Sequence, residues 1–157
     1  MGLTTRIFGR LWEISFLRIS TRNTGNPVVP ASGPELAGCI DEIVEIGDSE
    51  CNFLTVTVKN PSGHVLIDLG VGVRLDKPAA SIFFDGPGGA FFSRGKESAK
   101  KTLSYNNFGN EVLFPGYFEI DFESAKSALT RFFATSYQRP DNIQWQDWLD
   151  EHSARYE

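Results

Sequence analysis

Phe118–Trp145 reads FEIDFESAKSALTRFFATSYQRPDNIQW, and this stretch carries the plainest folding instruction in the chain. Asp121 is an acceptor side chain placed just before a helical pattern, where it can hold the orphan N–H groups of a first turn. Phe122, Ala125, Leu129, Phe132 and Ser136 fall at spacings that put the apolar members on one face. The run is expected to end at Arg139-Pro140, because the residue before a proline is pushed out of the α region. Ile143 and Trp145 then alternate as a strand returning to the core. The rest of the sequence reads as the sheet onto which this helix packs.

Upstream, a second helix is expected to open near Ser32, with Pro34 in its first turn and Glu35 at the positive end of its dipole. Leu36, Cys39, Ile40, Ile43 and Val44 form its apolar stripe, and Gly47 is its stop. From Asn52 the period changes to two: Leu54, Val56 and Val58 alternate with Phe53, Thr55 and Thr57. Asn60-Pro61-Ser62-Gly63 is a turn by composition, and His64–Leu69 returns with Val65, Ile67 and Leu69 inward. Gly70-Val71-Gly72 reads as a bend before a further short strand. Ser81–Phe84 and Ala90–Ser93 flank Asp85–Gly89 as a second hairpin. Thr102–Tyr105 is a further strand candidate, and Asn106–Gly116 reads as a loop.

Before the first helix, Trp12, Ile14 and Phe16 alternate, which suggests a strand around Glu13–Ile19 with an amphipathic helix as the competing reading. Thr21–Gly33 is an exposed loop by its Thr, Asn, Gly, Pro and Ser content. The expected fold class is therefore α+β: a mostly antiparallel sheet, a meander of hairpins, with two main helices packed on it. Residues 1–157 are expected to form one domain, with a strand and loop over 1–31 and a polar segment over 146–157.

The length of 157 residues suffices to bury roughly two-thirds of the chain's surface. The net charge of −5 argues against direct nucleic-acid binding, which needs a basic face. It fits solubility or a basic partner equally well. No apolar run approaches the ~20 residues of a membrane span, and Arg10, Glu13 and Arg18 interrupt any signal-peptide core. Cys39 and Cys51 show no metal-ligand spacing and read as thiols in a reducing cytosol.

Candidate chemistry is thin. Gly89–Lys96, GAFFSRGK, has the outline of a phosphate loop, but five residues separate its glycines and Glu97 stands where Ser or Thr should hold magnesium. His64 and His152 read as exposed or structural. Arg94, Lys96, Lys100 and Lys101 form a cationic loop suited to solvation or, less simply, to an RNA or anion contact. No catalytic constellation, metal set or cofactor motif emerges. The one strong charge feature is Glu35–Glu50, where Glu35, Asp41, Glu42, Glu45, Asp48 and Glu50 occur with no Lys or Arg. It reads as a solvated helix face or as a docking surface for a basic partner.

The C-terminal pattern of Asp121, Ala125, Ala128, Leu129, Phe132, Phe133, Thr135 and Arg139-Pro140, then Ile143 and Trp145, resembles the first-numbered immunity-protein family of bacterial polymorphic toxin systems. So do Leu66–Gly72 and the Asp85–Gly89 hairpin leading into Phe92-Ser93-Arg94-Gly95. Ser136-Tyr137 departs from that pattern, in which a glycine follows soon after the threonine. The resemblance implies an inhibitor without catalytic residues. It implies binding to a cognate toxin domain, often a nucleic-acid-directed deaminase or nuclease, in a 1:1 complex in the cytoplasm. Leu129, Phe132, Pro140 and Trp145 would be scaffold. Glu42, Glu45, Asp48 and Glu50 are then the expected contact residues, with Trp148, Asp150 and Glu151 second. The alternatives are a small hydrolase or isomerase with a pocket in the sheet, and a ligand-binding α+β domain.

Overall fold

A computed structural model describes residues 3–7, 10–17, 29–95 and 101–147, with backbone alone for the first two segments. Ile19, the loop residues 21–28, Lys96, Lys100, Trp148, Asp150, Glu151 and His152 lie outside the described residues. In chain order the elements are β1 (Leu3–Ile7), β2 (Arg10–Leu17), α1 (Gly33–Ile46), β3 (Phe53–Lys59), β4 (Val65–Val73), β5 (Ala79–Gly86) and β6 (Gly89–Ser93). There follow β7 (Thr102–Asn107), β8 (Asn110–Pro115), a single 3-10 turn, β9 (Glu119–Asp121), α2 (Phe122–Ala134) and β10 (Trp145–Asp147). The main sheet runs β1-β2-β3-β4-β5-β6-β10, with β9 added on β5, and its pairings are antiparallel. The architecture is α+β, as the hairpin patterning requires.

Alternation along the strands sorts the side chains onto two faces. Leu54, Val56 and Val58 of β3, Ile67, Leu69, Val71 and Val73 of β4, and Ala80, Ile82 and Phe84 of β5 form one buried face. Leu36, Ile40 and Ile43 of α1 and Ala125, Ala128, Leu129 and Phe132 of α2 cover it. Val44, expected on the α1 stripe, is 37% exposed, and Val65, expected inward, is 51% exposed. The second displacement has a local cause: the β3–β4 register shifts at Val58/Lys59, so Val65 pairs with Lys59 outside the alternation.

The opposite face is covered by β7 and β8, which pair only with each other. Phe53, Phe92, Leu103, Tyr105, Phe114 and Phe118 make this second core. The Asn106–Gly116 stretch is thus no loop. It holds the end of β7, a two-residue turn and β8. Phe108 (φ 51°) and Gly109 (φ 92°) both take the left-handed region that such a tight hairpin demands. A phenylalanine in the first of these positions removes the usual Asn-Gly signal.

Gly70 and Gly72 also correct the sequence reading. They lie inside the nine-residue strand β4, not at a bend between strands. A Cβ on Gly70 would stand 2.6 Å from the Phe53 ring, and one on Gly72 2.5 Å from the Tyr105 ring. The glycines let two aromatic rings lie flat on the sheet.

The ends of α2 follow the sequence at one terminus and not at the other. Asp121 accepts the Ser124 N–H at 2.8 Å, the expected N-cap. The helix ends at Ala134, five residues before Arg139, through its own cap. Ser136 N–H donates to Phe133 O at 3.3 Å and Tyr137 N–H to Phe132 O at 2.8 Å, the paired bonds of a Schellman ending. Ser136 (φ 57°) occupies the left-handed position where glycine is usual, and Tyr137 (φ 70°) follows it. The buried Tyr137 ring, 5.6 Å from that of Phe132, supplies the apolar contact that completes the motif.

Candidate partner-binding surface

The acidic run Glu35–Glu50 spans α1 and the loop into β3, and the fold uses its carboxylates unequally. Ser32 Oγ accepts the Glu35 N–H at 3.2 Å, while Glu35 Oε2 accepts the Ala31 N–H at 2.6 Å, so Glu35 secures the helix start. Asp41 pairs with Lys126 of α2 at 3.2 Å, tying the two helices across their open side. That hydrogen bond is the main reason the Lys126 pKa is raised. Asp48 Oδ1 accepts the Glu50 N–H at 2.9 Å and its carbonyl accepts the Cys51 N–H, which folds the loop back on itself.

Glu42, Glu45 and Glu50 complete the run. Glu42 and Glu45 stand three apart on α1 and are neighbours on its surface. Glu45 is exposed in the final turns of a helix whose last turn carries no basic residue. A carboxylate there faces the negative end of the helix dipole, an arrangement helices ordinarily avoid. Val44 and Ile46, 37% and 50% exposed, flank it with apolar surface. Glu50 is exposed just beyond the Gly47 cap. Of the expected contact residues, the structure therefore brings Glu42, Glu45, Asp48 and Glu50 to one end of α1. Trp148, Asp150 and Glu151 lie outside the described residues.

One residue that sequence reasoning passed over holds this region in place. Asn52, 9% exposed, donates from Nδ2 to Val73 O at 2.9 Å and accepts the Asn106 N–H on Oδ1 at 2.6 Å. Asn106 Nδ2 in turn reaches Ser49 O at 2.9 Å, and the Gly109 N–H reaches Glu50 O at 3.1 Å. The β7–β8 tip thus grips the acidic loop by its backbone. A polar residue at the point where helical spacing gives way to alternation was the available signal, because a buried amide must find partners.

Elsewhere the carboxylates with displaced pKa values are explained by structure. Asp76 is lowered by its hydrogen bond from Arg74, Asp121 by the Ser124 N–H, and Asp141 by Arg131. Tyr105 is pushed up to about 12, first by burial, although Ser81 bonds its hydroxyl at 3.0 Å. Open grooves accompany them among the described residues. One of about 660 Å³ lies between the helices beside Asp41, Lys126 and Thr130, and one of about 630 Å³ lies beside Lys77, Arg94, Glu119 and Asp121.

No curated protein matches the chain. A family model described as immunity protein Imm1 matches residues 24–147. The chain belongs to the Imm1 immunity protein family. The match takes in every described element from α1 to β10, while β1 and β2 precede it. The residues that carry the resemblance are scaffold in this Imm1 protein. Leu129 and Phe132 are fully buried. The Pro140 carbonyl accepts the Trp145 Nε1–H at 2.6 Å, and the Trp145 ring meets Phe84 edge-on. Arg139 lies 3.7 Å above the Phe91 ring. Ser93 Oγ accepts the Ile82 N–H at 2.9 Å and donates to Phe118 O, bridging β5 where β6 and β9 share its edge. No helix among the described residues is long and apolar enough to cross a membrane.

Proposed function

We propose that this Imm1 protein acts as one immunity domain in the cytoplasm of a toxin-producing cell. There it binds a cognate toxin domain, one to one, and occludes the active site. The toxin is a nucleic-acid-directed deaminase or nuclease, whose substrate requires a cationic cleft. The carrying observation is the acidic end of α1: Glu42 and Glu45 on the helix and Glu50 on a braced loop, with no Lys or Arg in the run. Such a surface steers a basic partner, speeds association and competes with nucleic acid. Trp148, Asp150 and Glu151 are proposed as secondary contacts.

An inhibitor is favoured over a hydrolase or isomerase by the titration pattern. A general acid at neutral pH needs a carboxyl held up by burial or a like charge. Among the described residues the displaced carboxylates, Asp76, Asp121 and Asp141, are lowered, each by a cap or an ion pair. The test is charge reversal at Glu42, Glu45 and Glu50 to Lys together, measured against a candidate toxin domain taken from the genes neighbouring this one. Association at low salt should slow by about 10-fold or more, and the wild type's salt dependence should flatten in the variant while the circular dichroism spectrum is kept. Unchanged kinetics would remove the acidic end of α1 from the interface. Failure of the wild type both to bind and to rescue cells expressing the toxin would remove that partner.

A further inference from the structure

On the sheet face away from the helices, the β7–β8 ribbon leaves an apolar pit of about 380 Å³ lined by Phe53, Phe83, Ala90, Phe92, Val112 and Phe114. Its aromatic walls brace one another. Phe92 meets Phe83 at 5.0 Å and Phe114 edge-on at 5.3 Å, and Phe114 meets Phe53 at 6.0 Å. Rings fixed in this way form the pit before any partner arrives, so little ordering cost remains for binding. Phe83, Ala90 and Val112 are half-buried at its mouth.

The rim is acidic. Asp85 pairs across the strands with Ala90, a residue of the lining, and on its other side with Asp68. Two carboxylates directly opposite each other in a sheet repel. Among the described residues neither has an ion-pair partner, and Asp68 has only the Thr57 hydroxyl, at 3.2 Å. An apolar aromatic socket beside two opposed carboxylates selects a definite shape and charge: one large apolar side chain with a Lys or Arg next to it. The ribbon that walls the pit with Val112 and Phe114 also grips the Glu50 loop with Gly109, so pit and acidic loop border one element.

We propose that the pit is the anchor socket for the toxin domain, receiving an apolar side chain flanked by a basic residue that sits between Asp68 and Asp85. The inference rests on the immunity reading and divides the work. The acidic end of α1 governs the rate of encounter, while the socket governs the lifetime of the complex, as buried aromatic anchors do.

The test uses full-length protein and the same candidate toxin domain, with one catalytic residue of the toxin substituted. Ala90→Trp fills the pit and should raise the Kd about 100-fold, chiefly through faster dissociation. Asp85→Lys should raise it about 10-fold. Circular dichroism and thermal melting confirm folding; should Ala90→Trp not fold, Phe83→Ala and Asp85→Lys carry the test. Tight wild-type binding left unchanged by the pit variants overturns the socket and leaves the immunity reading standing. No wild-type binding overturns both for this partner. Wild-type dimers that Ala90→Trp dissociates would assign the pit to a second copy of the chain and overturn the proposal.

Discussion

The two faces of the central sheet are covered in different ways. On one, two capped helices lay Leu36, Ile40, Ile43, Leu129 and Phe132 over a largely aliphatic strand surface. On the other, a two-stranded ribbon covers Phe53 and Phe92 with Leu103, Tyr105 and Phe114. A helix carries a wide apolar stripe and needs nothing special beneath it. A lone hairpin is marginal and thin, so its contribution must come from large rings, and Gly70 and Gly72 exist to let those rings approach. Helix cover buries Val56, Val58, Val71 and Ile82 of the sheet completely, with a groove between the helices themselves. Ribbon cover leaves the pit between Phe83 and Phe114.

The sharpest way to break this contrast is to damage each cover separately. Phe132→Ala, at a fully buried position of the helix side, should cost about 3–5 kcal/mol. That is a large part of a small domain's stability, so urea unfolding should shift as a whole. Gly72→Ala drives a methyl group into the Tyr105 ring and should cost about 1–3 kcal/mol. Hydrogen exchange should quicken in β7 and β8 before β3–β5, reporting a loosened ribbon on a persisting sheet. In a Tyr105→Leu background the Gly72→Ala penalty should shrink; an equal penalty with and without the ring would sink the platform explanation.

Smaller effects separate the two ends of α2. Asp121→Ala removes the N-cap and should cost about 1 kcal/mol. The Asp121 carboxyl is held below its ordinary 3.8 by the Ser124 N–H and hydroxyl. A depressed folded pKa means that this stabilisation is complete above the ordinary carboxylate range and lost as pH falls through the folded value. The wild type should therefore lose more stability than Asp121→Ala on acidification below that range. At the other terminus Ser136→Gly should raise stability by about 0.5–1 kcal/mol, because an L-residue in the left-handed region pays a steric cost that glycine does not. Unchanged stability would mean that the Ser136 side chain repays its own strain.

Legibility differed between the same two regions. The helix layer could be read because its signals are local: Ser32 and Asp121 before apolar stripes, Gly47 after one, and strict alternation from Leu54 to Val58. The end of α2 was misplaced at Arg139-Pro140 because Ser136 and Tyr137 adopt left-handed backbone without glycine to announce it. The ribbon was missed at Asn110–Pro115 for the same reason, with Phe108 in the turn. The acidic run was visible as charge. How its members are held, with Asp41 paired to Lys126 and the Glu50 backbone bonded by Gly109, depended on neighbours from distant parts of the chain.

By itself the sequence determined the class of fold, both helices with their N-caps and the Gly47 stop, and the β3–β4 and β5–β6 hairpins, because each rests on spacing within a few residues, and its motifs carried the resemblance to immunity proteins. Only the tertiary structure decided that Gly70 and Gly72 are platforms for rings, that Asn52 clasps the acidic loop, and that an aromatic socket opens beside Asp68 and Asp85. Each of those joins residues from strands far apart along the chain, and no local spacing records which side chain will arrive from the other side of the sheet.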